Sequence, residues 1–312
     1  MRRILSIDGG GIKGVFPLAF LASIEDSVGR PAGEYFDLIS GTSTGGIIAL
    51  GLGLGFSAQE LLVMYEQLGK QVFGGPTLIR FLRWLSIAKY SQVRLRQHLT
   101  NAFQNKTLGD SRCRLLIPAV NLETGRPHIY KTAHHERFEK DYRETAVTVA
   151  LATAAAPSYF PSFRDPSGIL LVDGGLWANN PVGLAVIEAM QVLDWPLTDL
   201  RVLSLGCTET PANPGIGGSI GMGLTYWAFK GPQLLMSAQS SASLGLAILL
   251  AGDRNVVRIS PVVTGSRFGL DKVKRIDSLK GLGRNEARSA LPSLKTCLFS
   301  EPAEEFIPCR RP

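Results

Sequence analysis

The chain opens on a short apolar run, Arg3-Ile4-Leu5-Ser6-Ile7, that stops at Asp8 and three glycines. Apolar positions then recur at helical spacing from Val15 to Val28, so the pattern predicts strand, tight turn and helix. It repeats at once: Tyr35 to Ser40 leads through Gly41-Thr42-Ser43-Thr44-Gly45-Gly46 into the apolar stretch Ile47 to Leu54. Two such units in tandem predict an α/β fold, with a central, mainly parallel sheet flanked by helices. Further strands are expected at Arg114 to Asn121, Ile129 to Thr132, Ile169 to Asp173, Leu200 to Gly206 and Asn255 to Ser260. Ser57 to Val72 reads as a helix opened by a capping box, with Glu60 three residues after Ser57. Leu279 to Leu294 reads as a closing helix. Pro211 to Gly223, with two prolines and five glycines, suits neither helix nor strand and reads as a mobile loop. No linker divides the chain, so residues 1–312 are expected to form one domain. Its motif-bearing core covers about 2–210, a helical and loop part 211–300, and a polar, loosely held tail 301–312.

Composition narrows this picture in three ways. The chain has 312 residues, 45% hydrophobic and 19% charged, which suits one packed globule rather than disorder. A formal charge of +7 draws it toward anionic surfaces, yet no finger, basic-zipper or RNA-recognition signature is present, so no nucleic-acid partner is expected. Cys113, Cys207, Cys297 and Cys309 are scattered without metal-binding or disulfide spacing, and read as reduced thiols with no metal. The apolar stretch after Met1 is cut short by Asp8, so export is not expected. Ile47 to Phe56 and Leu244 to Ala251, the longest apolar runs, fall below the roughly 18 residues needed to cross a bilayer. Any membrane contact is therefore expected to be peripheral, from the cytoplasm.

The candidate chemistry lies in the turns. Gly41-x-Ser43-x-Gly45 sits where a strand turns into a helix, the context a nucleophile elbow requires. An ordinary serine N-cap would look the same, so the serine needs a base to decide the matter. The usual order Ser, Asp or Glu, His fails for every acid beyond residue 135, because the histidines are His98, His128, His134 and His135. The pair His134-His135 lies in a polar stretch and reads as a solvated loop. Asp173 ends the apolar run Ile169 to Val172, just before Gly174-Gly175, and a carboxylate at a strand's carboxyl end faces the crevice where ligands bind in α/β sheets. A Ser43/Asp173 dyad is the economical reading, provided that desolvation raises the basicity of the carboxylate. Asp8-Gly9-Gly10-Gly11-Ile12-Lys13-Gly14, again between strand and helix, offers backbone amides that form an oxyanion hole if they face the oxygen that becomes charged. The same letters match the dinucleotide fingerprint G-x-G-x-x-G, so a nucleotide-binding oxidoreductase is the rival reading, although the second strand ends in Ser40-Gly41 without the required acid.

Together, the Asp8 to Gly14 loop, Gly41 to Gly45 and Asp173-Gly174-Gly175 resemble, in order, the three signatures of the patatin-like phospholipase family. Ala154 to Pro161 and Trp177 to Pro181 add to the resemblance, which runs from residue 2 to about 210. Lys13 stands where arginine is common, and Gly-Gly follows the acid where Gly-Ala is frequent. The resemblance implies a three-layer α/β/α sandwich and a Ser/Asp dyad without histidine. Ser43 becomes the nucleophile, Asp173 the base and Gly9 to Gly11 the oxyanion hole, with Gly14, Gly41, Gly45, Gly174 and Gly175 shaping the turns. The implied substrates are membrane phospholipids, cleaved through an acyl-serine intermediate with no cofactor; a catalytically silent lipid-binding module would carry the same fold. Arg80 to Tyr90 mixes basic and apolar residues as a membrane-docking segment would. The chain also resembles compact bacterial anti-phage effectors, which implies a cyclic di- or trinucleotide activator, with Ser237 to Ser243 near Arg254 as its candidate seat; a homo-oligomer is left open.

Overall fold

The computed structural model describes residues 1–72, 88–209, 223–263, 268–271 and 273–311. Eight strands, β1 Arg2–Ile7, β2 Leu38–Gly41, β3 Arg114–Asn121, β4 Pro127–Lys131, β5 Phe163–Arg164, β6 Leu170–Asp173, β7 Leu200–Leu205 and β8 Val256–Ile259, form one sheet. Its order is β5-β6-β3-β2-β1-β7-β8, with β4 paired to β3 off that path. The centre is parallel: β1 pairs with β2 and β7, β2 with β3, and β7 with β8. The β3, β4, β5 and β6 end is completed by antiparallel pairs.

Side chains alternate between the two faces of a strand, and here both faces are buried. Leu5, Ile7, Ile39, Ile117 and Leu203 join one apolar cluster, whereas their neighbours Ile4, Leu38, Leu116 and Val202 join another. The larger cluster is covered by α1 Val15–Val28, α2 Thr44–Gly53, α3 Ala58–Val72, α4 Gln92–Phe103, α5 Ala146–Thr153 and α9 Ile276–Cys297. The smaller lies beneath α7 Val182–Gln191 and the end of α8 Leu224–Ala251. The short α6 Gly175–Ala178 follows β6 directly. The result is the expected three-layer α/β arrangement.

The bounds of α1 and β3 are those the periodicity predicts. The capping box also forms: the Glu60 amide donates to Ser57 Oγ at 3.2 Å and the Ser57 amide donates to Glu60 Oε2 at 2.8 Å. Two expectations fail. The tail is not loosely held: Phe306 is buried, the Ala303 amide donates to the Glu34 carbonyl, the Cys309 amide donates to the Ala133 carbonyl, and Arg2 joins Asp37 to Glu304. These anchors lie some 170 to 300 residues away in sequence, where no local pattern records them. Second, Gly231–Ala251 within α8 is a helix long and apolar enough to cross a membrane, although its residues read as unconnected shorter pieces. The expected mobile loop Pro211 to Gly223 lies outside the described residues apart from Gly223, as does Arg80 to Ile87 of the expected docking segment.

Candidate active site

Ser43 follows the end of β2 with φ 56° and ψ −120°, a left-handed conformation that costs a non-glycine residue about 1–3 kcal/mol. Two glycines make so sharp a turn possible. A Cβ on Gly41 would strike the Gly45 carbonyl, and one on Gly45 the Ile7 carbonyl, so β1, β2 and α2 meet backbone to backbone. Ser43 is thereby lifted to the amino end of α2, where first-turn amides and the helix dipole favour negative charge. Its own amide donates to Thr153 Oγ1 at 2.9 Å, and the Thr153 hydroxyl donates to the Pro118 carbonyl at 2.6 Å. One threonine at the end of α5 thus ties the turn to β3.

Asp173 reaches Ser43 by a route the strand-end expectation does not contain. β2 pairs with Arg114 to Leu116 of β3, and β6 pairs with Ala119 to Asn121. β4 covers Leu116 to Val120, overlapping both, and so occupies the opposite edge. β2 and β6 therefore lie on successive stretches of one edge of β3 and meet carboxyl end to carboxyl end. The two strand ends do come together, through an antiparallel strand on the overhang of β3 rather than through two parallel neighbours. The Asp173 amide donates to the Ala155 carbonyl at 3.0 Å, and its carboxylate accepts the Gly175 amide at 2.7 Å and lies near the Ser43 side chain. Burial pushes the Asp173 carboxyl up to about 6, against the lowering effect of the Ser43 side chain and the Gly175 amide.

The glycine loop lies alongside. A Cβ placed on Gly9 would come within 3.4 Å of the Ser43 Cβ. The Gly9 amide already donates to the Asn179 carbonyl at 3.0 Å, so it is not free to receive an oxyanion, unlike the three-amide expectation. The amides of Gly10 and Gly11 have no partner among the described residues. Gly11 has φ +57°, and a side chain there would strike the Leu270 carbonyl, which also accepts the Ile12 amide at 2.8 Å. The Thr44 hydroxyl donates to the Gly11 carbonyl at 2.8 Å and ties the loop to the elbow, and the Thr42 hydroxyl ties the elbow to α6 by donating to the Ala178 carbonyl at 2.6 Å. Gly14 abuts Thr44, and Gly174 abuts the Pro118 carbonyl, so these motif glycines keep the same elements close.

Below the loop, Arg258 holds Asp8 in a two-pronged ion pair at 2.8 and 2.7 Å and also donates to Ser204 Oγ at 2.8 Å and Glu209 at 3.2 Å. Burial works against the Arg258 charge, but Asp8 and Glu209 outweigh it and its pKa is raised. Lys13 donates to the Thr208 carbonyl at 3.2 Å, and burial lowers its pKa. Burial also pushes the Cys207 thiol, packed on Gly10, up to about 12, which leaves it protonated and inert.

The histidines stand elsewhere. Contrary to the expected solvated loop, His134 is buried, its Nδ1 2.8 Å from Thr132 Oγ1 and its Nε2 3.0 Å from Glu188 Oε1. Polar sequence neighbours suggested exposure, but Glu188 on α7 supplies a partner from another layer. The adjacent Thr132 amide donates to the Leu115 carbonyl, near the amino end of β3 and away from Ser43. His98 lies 2.7 Å from Gln71, His128 packs on Tyr130, and His135 accepts the Arg137 amide. None is a partner of Asp173.

Sequence reasoning missed two supporting residues. Thr153 is a fully buried polar residue in the otherwise apolar run Ala150 to Ala156, and Arg258 is a charge inside a predicted strand; both are signals that a buried partner waits.

The family model described as patatin-like phospholipase matches residues 5–186. A cGAMP-activated phospholipase of Pseudomonas aeruginosa is 39% identical over 298 residues, covering 92% of this chain and 88% of that protein. A protein of the same description from Vibrio cholerae is 36% identical over 342 residues, covering 97% and 96%. A cUMP-AMP-activated phospholipase of Escherichia coli is 28% identical over 297 residues, covering 90% and 89%. The elbow, the buried acid and the glycine loop all fall inside the matched family region or at its edge, and the chain belongs to the patatin-like phospholipase family.

Proposed function

We propose that this phospholipase cleaves the acyl esters of membrane phospholipids with a two-residue machine, Ser43 and Asp173, and an oxyanion hole made by the Gly10 and Gly11 amides. The observation that carries the reading is a serine in a strained turn, beside a buried carboxylate that burial pushes up to about 6. Such a carboxylate is ionised at neutral pH yet is a far better base than an exposed one. Ser43 Oγ attacks the ester carbonyl carbon while its proton passes to Asp173. The carbonyl oxygen becomes an oxyanion facing the glycine loop, where each donor is worth about 2.7–4 kcal/mol. Collapse breaks the ester bond, and the departing alkoxide of the lysolipid takes the proton from Asp173. Water then gives its proton to Asp173 and attacks the acyl-Ser43 carbonyl; Ser43 leaves with the returned proton, and a free fatty acid is released.

The relatives named as cGAMP- and cUMP-AMP-activated support a second part of the reading: this enzyme is held in check until a cyclic oligonucleotide binds, as an anti-phage effector acting at the inner face of the cytoplasmic membrane. The excess of 33 Lys and Arg over 26 Asp and Glu suits both an anionic activator and an anionic membrane. The test is fluorophosphonate labelling, with lipid mass spectrometry of the products and cyclic di- and trinucleotides added in turn. Labelling lost in Ser43→Ala, with free fatty acid rising on addition of one nucleotide, is the expected result. An unlabelled protein that still binds lipid would make it a silent lipid-binding module.

A further inference from the structure

We infer that the solvent-facing side of α8 is the surface by which the protein docks on an anionic phospholipid bilayer. The 28 residues of this helix contain no Asp or Glu and a single lysine, Lys230. A helix on the outside of a globule ordinarily carries a polar outer face, and one that is apolar all round is ordinarily buried. This one is neither: Trp227, Leu234, Leu235, Leu246 and Leu249 are all exposed, Leu235 by 65% and Leu249 by 82%. At 3.6 residues per turn these five side chains fall within an arc of about 120°. The opposite side is committed to the body of the protein. Gln239 Nε2 donates to the Leu176 carbonyl at 2.8 Å, Ser243 Oγ accepts the Gly183 amide at 3.0 Å, and Ala247 and Ala251 are buried. Those anchors hold the helix along the protein, so it is placed to lie in the plane of a membrane although it is long enough to cross one.

Charge and position select a bilayer as the occupant. A helix without carboxylates, followed by the exposed Arg254 and belonging to a chain of net charge +7, is complementary to anionic head groups, with Asp253 and Asp199 the exposed acids in the described turns beside it. The same helix reaches the catalytic acid's neighbourhood, because Met236 lies against Gly175, which donates to Asp173. Seating the outer face of α8 in the head-group region brings the acyl ester to the mouth of the site rather than to a remote surface. This inference rests on the phospholipase reading, since it takes the substrate to be in the membrane.

The test is flotation of the full chain with phosphatidylglycerol and phosphatidylethanolamine vesicles, with and without cyclic nucleotide, alongside fluorophosphonate labelling and light scattering. In L235E/L249E, vesicle binding should fall at least about tenfold, while labelling of Ser43 stays within twofold of the parent, about the error of such rates. Ile307→Glu, which charges an exposed apolar residue in the C-terminal tail, should leave binding unchanged. Undiminished flotation of the double variant would overturn the inference. So would flotation that persists while self-association is lost, which would make the face a seat for a second copy of the chain. Flotation needs no turnover, so failed docking with intact labelling separates this inference from the phospholipase reading beneath it.

Discussion

The two ends of the sheet each bury a carboxylate, and they treat it in opposite ways. At the end where Thr132 meets Leu115, Glu188 is held by His134 at 3.0 Å and Lys131 at 2.6 Å. Burial works to raise its pKa, but those partners prevail and it is lowered. At the other end, Asp173 has only the Ser43 hydroxyl and the Gly175 amide to set against burial, and its pKa remains at about 6. The first acid is saturated by one cation, Lys131, and the His134 ring, and has no capacity left for chemistry. The second has no cation among its partners, and that deficit suits it to the role of base proposed above. In that reading a histidine beside an acid is the structural pair, and a serine beside an acid the reactive one.

The most severe way to break this contrast is to remove the reactive pair. Ser43→Ala or Asp173→Asn should each lower turnover by about 10⁴-fold, measured as fatty acid released from vesicles, with circular dichroism unchanged. Removing the structural pair should act on stability instead. Glu188→Ala leaves Lys131 and His134 without their acceptor and should cost about 3 kcal/mol in urea unfolding, while labelling of Ser43 per folded molecule stays within about twofold.

These contrasts were only partly legible in the sequence. The apolar runs ending at Gly41 and Asp173 show that Ser43 and Asp173 each close a strand, because two-residue and 3.6-residue periods are local signals. How the two strands come together is not local. It depends on β3 outrunning β2 by five residues, Ile117 to Asn121, so that β6 docks beyond it. The partner of the Gly9 amide, the carbonyl of Asn179, lies 170 residues away. His134 read as exposed because its sequence neighbours are polar, whereas its partner Glu188 sits on α7. α8 was hidden for another reason. Its solvent face is as apolar as its anchored one, so it has no amphipathic period to find.

Smaller effects sharpen the comparison further. A buried carboxyl with a raised pKa destabilises the folded state when ionised, so Asp173→Asn should be more stable than the parent by about 1–3 kcal/mol at pH 8. The sign follows from the two pKa values: the parent's penalty is complete above about 6 and vanishes below the ordinary aspartate value of 3.8, so the gap between the two proteins should close as pH falls across that window. Unfolding midpoints across that pH range measure it. Thr153→Val removes the acceptor of the Ser43 amide and should slow labelling by about tenfold, with a much smaller change in melting temperature than Glu188→Ala.

The central claim is that Asp173, and no histidine, is the base for Ser43. The measurement that bears on it most directly is the rate of fluorophosphonate labelling of Ser43 as a function of pH, in the parent and in Asp173→Asn. The account predicts a parent rate that falls with acidification through a midpoint near 6 and a variant rate that is low and flat across the range. A variant that labels at a near-normal rate, or that keeps the same titration near 6, would contradict it.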